Sequence, residues 1–363
     1  MSMLQQAIAD LQASVQSALL PDHPWLAGIA GRFISFFDVS FLDTGGRYFW
    51  PTGLAAMAVL AIGFALRPDW RARWGGAGFL RFCFPAGYFS HPSTWTDLKI
   101  NLANYMVLPL VNIAWRFNGA WFAVAIAGGL TALFGPAAHP LEWNGWTLVA
   151  FTLAFAVFDD FGYWVWHYLA HKVPALWAFH KVHHSAEILT PLVAGRVHPL
   201  EAVLLPVFRA AASGLVAGPA LYVFVAEGQV LTVFGMSVVA MVFAAAGNQL
   251  FHAHVPISWG HRLNHVFVSP ATHQIHHSIE RRHWDKNMGA LLSVWDWMFG
   301  TLYLPDSHQK LVYGVAPDVV QPHPGLLAAW MRPFWDAIPG RARALAVPPS
   351  RVFTLRRRQK GTP

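Results

Sequence analysis

Long apolar stretches, broken by short polar and basic segments, are the first feature of this chain. The stretch from Phe49 to Leu66 is apolar almost throughout and is followed by Arg67. A second apolar stretch runs from Trp146 to Trp166. Because a helix needs about 20 apolar residues to cross the hydrocarbon core of a bilayer, each stretch predicts a membrane-spanning helix.

The apolar segment at residues 101–135 is less regular, since Arg116, Asn118 and Gly119 interrupt it. A charged residue and a glycine in the middle of a span are unfavourable, because the charge must be kept out of the hydrocarbon. The segment therefore predicts one of two arrangements. It is either one kinked crossing or a shallow helix followed by a crossing.

Two further apolar stretches, residues 203–226 and 229–250, predict a helical hairpin that turns near Gly228. Pro206 and Arg209 weaken the start of its first arm. With the other stretches, the hairpin leads to a prediction for the whole chain. The fold class is all-α, an integral membrane bundle of about four to six membrane helices with a cytoplasmic histidine-rich catalytic cap.

The N-terminal 48 residues lack the basic start and the continuous apolar run of a signal peptide. Apolar residues recur there at helical spacing with polar residues between them, which predicts an amphipathic helix. This helix lies either on the membrane or on the protein's own core. We divide the chain into an N-terminal amphipathic or peripheral segment (1–48), a membrane-embedded domain (49–305) and a C-terminal basic cytoplasmic tail (306–363).

Composition supports the membrane assignment. The chain of 363 residues is 55% hydrophobic and only 12% charged, whereas soluble domains carry about a quarter charged residues. The eighteen tryptophans fit the membrane–water interface, where indole rings are enriched. The net charge of +7 indicates contact with anionic lipid head groups rather than with nucleic acid. The single cysteine, Cys83, excludes an internal disulfide and a cysteine-rich metal site.

Basic residues are concentrated in the loop after the first span, around the histidines and near the C-terminus. Such loops stay on the cytoplasmic side of a membrane. The catalytic side, with residues 167–202 and 251–300 and the C-terminus, is therefore predicted to be cytoplasmic. With five crossings the N-terminus would lie outside. The chain is predicted to be a multi-pass protein, in the inner or plasma membrane if it is bacterial.

Histidine has the most informative distribution, since fourteen of the nineteen histidines lie between His167 and His283. Most of them fall into three boxes, in which spacings of three or four residues put side chains on one helical face. The boxes are His167-Tyr-Leu-Ala-His171, His180-Lys-Val-His183-His184 and His273-Gln-Ile-His276-His277. His252 and His254 lie between the second and third boxes, just past the end of a predicted span.

This set of imidazoles indicates a metal site. Imidazole clusters suit zinc, copper, iron or nickel. A structural zinc site takes four ligands, so the histidines of the three boxes overfill one such site and suit two metal ions of higher coordination number. Nitrogen ligands, unlike thiolates, also survive the oxidising chemistry of O2 activation.

The segments around the boxes carry a further pattern. They are Asp160-Phe-Gly-Tyr-Trp-Val-Trp-His167, Trp177-Ala-Phe-His180-Lys-Val-His183-His184-Ser185, Arg196-Val-His198-Pro-Leu-Glu201, Leu263-Asn-His-Val-Phe-Val-Ser-Pro270, Asp285-Lys-Asn287-Met-Gly289 and Trp295-Asp296-Trp-Met-Phe299-Gly300-Thr301. Together they resemble the fatty acid hydroxylase and sterol desaturase superfamily of membrane di-iron histidine-box enzymes. The resemblance extends over most of the central part of the chain.

The resemblance implies an oxidoreductase that hydroxylates a C–H bond of a lipid or sterol chain, with two iron ions as cofactor and O2 as co-substrate. The chain has no flavin or NAD fingerprint. A separate electron-transfer protein is therefore implied, a ferredoxin or a cytochrome b5-like protein with its reductase. One alternative is a lipid or sterol desaturase with the same centre. Another is a membrane metal-binding or transport protein, but the histidines cluster at the ends of spans rather than along a conduction path. The identity of the lipid stays open.

The resemblance also implies a ligand set. Its members are His167, His171, His180, His183, His184, His252, His273, His276 and His277. His254 is included as a further ligand, with a supporting role beside the ligands as its alternative. Two positions depart from the family pattern. Tyr168 stands where many members have arginine, and Asn248 stands where some members have another histidine.

Asp160 lies seven residues before His167 and therefore on the same helical face. A carboxylate near membrane depth is usually functional, and we expect Asp160 to orient a ligand imidazole as a hydrogen-bond acceptor. Its alternative is a place at a water-exposed helix end. The neighbouring Asp159 points elsewhere and is expected to be solvated. His198 is expected to form a hydrogen bond near the site. Outside the boxes, His261, His265 and His283 are expected at the surface or in contact with lipid head groups.

Overall fold

The computed structural model describes most of the chain between residues 50 and 339. The described residues are 50–74, 78–111, 119–138, 140–224, 232–233, 236–245, 248–305, 309–316, 319 and 321–339. The expected amphipathic helix within residues 1–48 lies outside them. So do the arginines that follow residue 340.

The described residues are almost entirely helical, which confirms the predicted all-α class. The helices are α1 (Trp50–Leu66), α2 (Pro68–Trp74), α3 (Gly78–Cys83), α4 (Gly87–Ser90), α5 (Pro92–Val111), α6 (Gly119–Phe134), α7 (Gly145–Lys172), α8 (Pro174–His184), α9 (Pro199–Val223), α10 (Val238–Ala245), α11 (His261–Asn264), α12 (Pro270–His276), α13 (Val294–Met298) and α14 (Leu326–Asp336). Short 3₁₀ turns lie at Pro191–Gly195, Asn248–Leu250 and Arg281–His283.

Two of these helices, α7 and α9, are long and apolar enough to cross a membrane by length and composition. The α7 helix has 28 residues, or about 42 Å at 1.5 Å per residue. It starts at a capping box in which the Asn144 side chain accepts hydrogen bonds from the amides of Trp146 and Thr147. Since about 20 residues suffice to cross the hydrocarbon, the last turns of α7 can carry His167 and His171 beyond it.

The helices α6, α7 and α9 pack closely through small residues. A Cβ atom on Gly162 of α7 would lie 2.6 Å from the carbonyl oxygen of Phe208 in α9. On the other side of α9, a Cβ on Gly214 or Gly218 would lie within 2.6 Å of the Phe122 or Ile126 side chain of α6. Glycines spaced by four residues allow helix backbones to approach closely, as is common between helices in membranes.

The predicted helical hairpin over 203–226 and 229–250 is only half correct. Its first arm is α9, which contains Pro206 without ending there. In the second arm, the described residues contain a short antiparallel pairing of Thr232–Val233 with Met236–Ser237, followed by the eight-residue α10. β-Branched residues favour this extended pairing, which a pattern of apolarity alone does not distinguish from a helix.

The irregular segment at 101–135 forms two helices, α5 and α6, and the residues between them lie outside the described part. The far end of the molecule is built from the C-terminal turns of α7, the N-terminal turn of α9, and α8, α12 and α13. The α14 helix packs against α8 and α5. It belongs to the segment predicted as a basic tail, and its described residues are packed against the histidine-rich helices.

Candidate metal centre

Nine of the ten histidines predicted as ligands converge in two adjacent groups. The five-histidine group consists of His167, His171, His180, His184 and His276. The four-histidine group consists of His183, His252, His273 and His277. Within each group, one ring nitrogen of every member lies within 4.8 Å of one nitrogen of every other member. Each group could therefore hold one metal ion.

The helices α7 and α8 supply four members of the five-histidine group. His167 and His171 lie one turn apart on α7, and His180 and His184 lie one turn apart on α8, after the tight connection at Val173. The Nε2 atoms of His167 and His180 are 3.0 Å apart, and those of His171 and His184 are 3.2 Å apart. Spacing of four residues turns each pair to one face of its helix, and the connection turns the two faces toward each other.

The four-histidine group is centred on His252, which follows the Asn248–Leu250 turn. The His252 Nε2 atom lies 3.0 Å from that of His273, 3.1 Å from that of His277 and 3.3 Å from that of His183. The cap of α12 fixes the direction of its two members. The Ser269 hydroxyl accepts from the Thr272 amide, and Pro270 occupies the first turn.

The doubled histidines divide between the two groups. His183 and His184 are adjacent in the chain, and their rings are perpendicular, so one faces each group. His276 and His277 behave in the same way, with an interplanar angle of 88°. The rings of His184 and His277, from different groups, stack at 4.6 Å. Adjacent residues on a helix point about 100° apart, and a doubled histidine can therefore serve two neighbouring ions.

In three rings of the five-histidine group, the Nδ1 atom, which points away from the other histidines, donates a hydrogen bond to an oxygen of the protein. His167 Nδ1 donates to the carbonyl oxygen of Met288 at 2.6 Å. His276 Nδ1 donates to the carbonyl oxygen of Lys286 at 2.8 Å. His180 Nδ1 donates to a carboxylate oxygen of Glu201, the residue in the first turn of α9, at 2.7 Å. Such bonds select the tautomer whose Nε2 lone pair faces the group, as in proteins that bind metals through histidine.

Burial sets the protonation state of these rings. It lowers the pKa values of His184, His273, His276 and His277 well below 6.5, and the neighbouring imidazoles lower them further. The rings are therefore neutral at pH 7. Neutral imidazole is the form that binds a metal ion.

The residues present fit two metal ions of the first transition row. The donor set is all imidazole nitrogen, which suits iron, zinc or copper. In the described part of the chain, the buried Nε2 atom of His276 has no hydrogen-bond partner, although it points into the five-histidine group. A buried donor or acceptor without a partner is costly, and a metal ion in the group would satisfy this nitrogen.

Asp160 has different partners from the predicted imidazole. Its carboxylate accepts hydrogen bonds from the amides of Leu291 and Leu292, at 2.8 and 3.1 Å, and from the indole of Trp295 at 3.0 Å. Asp160 therefore contacts the segment after residue 288 rather than a ligand imidazole. Asp159 forms an ion pair with Arg209 of α9.

Asp296 holds the start of the same loop, a role that the sequence analysis did not predict although it quoted Asp296 in a motif. Its two carboxylate oxygens accept from the amides of Met288 and Gly289 at 2.9 and 2.8 Å. Asp160 and Asp296 thus hold both ends of the 288–292 loop, whose Met288 carbonyl accepts from His167. The available signal was the carboxylate between two tryptophans in Trp295-Asp296-Trp297.

The loop before Met288 adopts a conformation that its sequence allows. Asp285 and Asn287 have positive φ angles of 56° and 57°, which aspartate and asparagine tolerate better than other residues with side chains. Between them, Lys286 presents its carbonyl to His276. Asp285 also lies 3.6 Å from His171 Nδ1 and forms an ion pair with Lys172 at 2.5 Å. Glu201 and Asp285 were quoted in motifs, but their contacts require the tertiary structure.

His254 lies outside both groups. Its Nδ1 atom is 2.7 Å from the hydroxyl oxygen of Tyr88, and its backbone amide donates to the same oxygen at 2.9 Å. Tyr88 is on α4, so this contact ties the segment after His252 to the N-terminal helices. The side chain of Asn248, the other position that departs from the family pattern, lies outside the described part.

The remaining histidines of this region have structural contacts. His198 caps α9, since its Nδ1 accepts from the Leu200 amide at 3.0 Å, and its Nε2 donates to the carbonyl oxygen of Trp330 at 2.9 Å. His261 is exposed and His265 is half-buried. The surface position expected for His283 is wrong: it is fully buried beside the Tyr303 ring, because residues 301–305 fold back over the loop that carries it.

A cavity of about 200 Å³ opens beside the five-histidine group. His171, His184 and His276 form its inner wall. Trp177 and Trp284 contribute apolar walls, and the paired Lys172 and Asp285 lie at its edge. Pockets for drug-sized ligands are usually larger, at about 300–1,000 Å³. This cavity therefore suits part of a large molecule rather than the whole of it.

Comparisons with known proteins agree with this site. A family described as fatty acid hydroxylase matches residues 152–301, which include every histidine of both groups. Ornithine lipid hydroxylase of Rhizobium tropici is 26% identical over 299 residues, which cover 78% of this chain and 82% of that protein.

Two further relatives match a smaller part of the chain. Human alkylglycerol monooxygenase is 30% identical over 188 residues, half of this chain but only 37% of that protein. The cholesterol 25-hydroxylase-like protein of Danio rerio is 27% identical over 216 residues, 58% of this chain and 72% of that protein. No solved structure matches this chain.

Proposed function

We propose that this chain is a member of the fatty acid hydroxylase family, which its residues 152–301 match, and that it hydroxylates a C–H bond in the hydrocarbon chain of a polar membrane lipid, with O2 as co-substrate. Its relatives include a lipid hydroxylase and a monooxygenase. The observation that carries the proposal is the convergence of nine buried imidazoles in two adjacent groups. The proposed ligands are these nine residues. His254 is assigned instead to the contact with Tyr88 described above.

The proposed cofactor is a pair of iron ions, which would supply O2 activation and the oxidation of an unreactive C–H bond. The protein's own contribution is geometric and electrostatic. Glu201 and the carbonyls of Met288 and Lys286 keep three rings in the tautomer that binds metal. Asp160 and Asp296 hold the loop that presents the Met288 carbonyl. Burial of the rings excludes water and keeps them neutral.

The cavity beside the five-histidine group is the proposed position of the reacting part of the lipid. Trp177 and Trp284 offer apolar walls for a hydrocarbon segment. The Lys172–Asp285 pair at its edge can contact a polar group of the lipid or of the solvent. Relatives are named for hydroxylation of an ornithine lipid and for oxygenation of alkylglycerol. These names support a polar lipid with a long acyl or alkyl chain as substrate.

The test is lipid mass spectrometry of cells that express the chain under ¹⁸O2, with cells that express His276→Ala as control. Hydroxylation predicts a lipid that carries one labelled oxygen and is absent from the control. Desaturation, the alternative that uses the same centre, predicts loss of two hydrogens without label. A lipid profile identical in both cultures, with the parent chain loaded with metal, would contradict both reactions and favour a metal-binding or transport role.

The two electrons for the reaction must come from outside the chain. A ferredoxin or a cytochrome b5-like protein with its reductase is the proposed donor. The two histidine groups must then face the compartment that contains the donor. The basic loops favour the cytoplasm as this compartment. Reporter fusions after positions 290 and 363 should therefore report a cytoplasmic location. A periplasmic or luminal signal at position 290 would overturn this topology.

A further inference from the structure

The α14 helix has an apolar face that the rest of the described protein leaves exposed. Leu327, Met331, Phe334 and Trp335 lie on one side of the helix and are 75%, 58%, 55% and 58% exposed. The opposite side is buried, with Ala329 at 0% and Asp336 at 3% exposure. Four large apolar side chains on one exposed helical face are unusual in water, where such patches mark contact surfaces.

The α14 helix is held against α8, which carries histidines of both groups. Asp336 forms a buried ion pair with Lys181 of α8, at 2.5 Å. The ring of Phe334 meets the ring of Phe179, also on α8, with centroids 5.3 Å apart. Breaking a buried ion pair is strongly unfavourable, because the remaining charge has no partner. The orientation of the apolar face is therefore a fixed property of the fold.

The depth of the helix follows from its contact with α9. His198, the N-cap of α9, donates to the carbonyl oxygen of Trp330 in α14. The length and apolar composition of α9 allow it to cross a membrane, and with α9 placed as a span its first turn lies near the level at which the chain enters the bilayer. The α14 helix lies beside that turn. Its exposed apolar face is thus at the level of the membrane–water interface.

Charge distinguishes a lipid surface from other occupants. Residues 340–363, which follow α14 directly, contain seven basic and no acidic residues. The basic residues are Arg341, Arg343, Arg351, Arg356, Arg357, Arg358 and Lys360. Anionic lipids attract basic segments next to a membrane by about 1 kcal/mol per Lys or Arg. A second copy of the chain would carry the same basic segment, so charge does not favour it as the occupant.

We infer that α14 is an interfacial helix whose Leu327, Met331, Phe334 and Trp335 side chains insert into the bilayer, and that the basic segment after it binds anionic head groups. Helices of this kind lie in the plane of the interface with the apolar face about 5–10 Å below the head-group level. The inference rests on the placement of α9 as a span and is independent of the proposed hydroxylation.

The test uses the full-length chain in lipid nanodiscs that contain one chain each. Leu327→Cys and Met331→Cys are labelled with an environment-sensitive fluorophore, and Lys310→Cys is the matched exposed control. The wild-type chain is the labelling blank, since Cys83 is buried. Labels at 327 and 331 should be quenched by lipids that carry a nitroxide at a shallow acyl position and protected from aqueous iodide. The label at 310 should show the reverse.

Equal iodide quenching at positions 331 and 310 would overturn the inference. Protection that appears only in discs with two chains, or only after addition of a soluble electron-transfer protein, would assign the face to a protein partner and would also overturn it. The charge is tested separately by Arg356→Gln/Arg357→Gln/Arg358→Gln. This variant should lose the increase in lipid quenching that anionic lipid causes in the parent. No such increase in the parent would refute head-group binding.

Discussion

The five-histidine group and the four-histidine group differ in what holds the far side of each ring. In the first group, His167, His180 and His276 donate from Nδ1 to a carbonyl or to Glu201. In the second, the buried Nδ1 atoms of His273 and His277 have no hydrogen-bond partner among the described residues. The first group is therefore held in place before a metal arrives, whereas the second depends more on the metal itself.

This difference has a consequence for metal binding. Partners at the far nitrogen fix the ring and raise its basicity, and their loss typically costs about 10–100-fold in metal affinity. We therefore expect the five-histidine group to retain its metal ion more tightly than the four-histidine group. The following variants test whether the two groups behave as separate sites.

Removal of one ligand from each group should have the largest effect. His276→Ala and His277→Ala should each abolish lipid hydroxylation, because both groups are needed for the reaction. Metal analysis of the purified His277→Ala variant, whose group keeps three imidazoles, should find one ion fewer per chain than in the parent, whereas His276→Ala keeps four imidazoles in its group and should bind that ion more weakly. The ion that remains in His277→Ala should resist chelation longer than the more weakly held of the two ions in the parent, since it occupies the five-histidine group.

The matched control for these variants is His261→Ala, which changes an exposed histidine outside both groups. It should keep parental activity and metal content. Full activity of a well-folded His276→Ala chain with one ion or none would refute the two-metal assignment.

Glu201→Gln tests the charged partner that only the five-histidine group has. The amide keeps the shape of the side chain but removes the charge that stabilises the His180 tautomer. Metal affinity of that group should fall roughly 10–100-fold, as measured by competition with a chelator, while the four-histidine group should change little. The exposed Glu187→Gln should change neither. A uniform loss at both groups would indicate that Glu201 supports the fold rather than one site.

Asp160→Asn should affect the five-histidine group indirectly, through the 288–292 loop. The new amide cannot accept from all three N–H groups that surround the carboxylate, so the loop and the Met288 carbonyl should shift. We expect activity or metal content to fall by about tenfold, at the low end of the range for residues that support metal ligands. Asp159→Asn, which alters the partly exposed pair with Arg209, should do much less. Equal effects of the two variants would contradict the separate roles of these carboxylates.

The smallest effect concerns acid stability without metal. Burial lowers the pKa values of His184, His273, His276 and His277 in the folded chain. In the unfolded chain a histidine has a pKa of about 6.5, so below this pH the unfolded chain binds more protons than the folded chain. The metal-free protein should therefore lose stability as pH falls from 7 to 5. Thermal unfolding of chelator-treated protein in detergent measures this shift. Protein loaded with metal should unfold at a higher temperature at both pH values, and an unchanged midpoint of the metal-free form would contradict the neutral, buried state of these rings.

The pattern of apolar residues predicted those helices that depend mainly on a continuous apolar run in the sequence. The span expected from Trp146 to Trp166 is part of α7, and the first arm of the hairpin corresponds to α9, because long apolar runs favour helices that bury or insert them. The expected second arm was not found as a continuous helix in the described residues, since apolarity does not separate a short strand pair from a helix. The packing of α14 was not foreseen either, because its buried Asp336 finds Lys181 only after folding.

The sequence by itself indicated the chemistry that we propose for this protein. Helical spacing within each box fixes which imidazoles share a face, and the surrounding motifs resemble those of the fatty acid hydroxylase family, which residues 152–301 match. Only the tertiary structure decided how His183 and His184, or His276 and His277, divide between two groups. It also decided that Glu201 contacts His180 while Asp160 holds a loop. The physical reason is that spacing controls direction within one helix, whereas contacts between α7, α8, α9 and α12 depend on the packing of segments far apart in the chain.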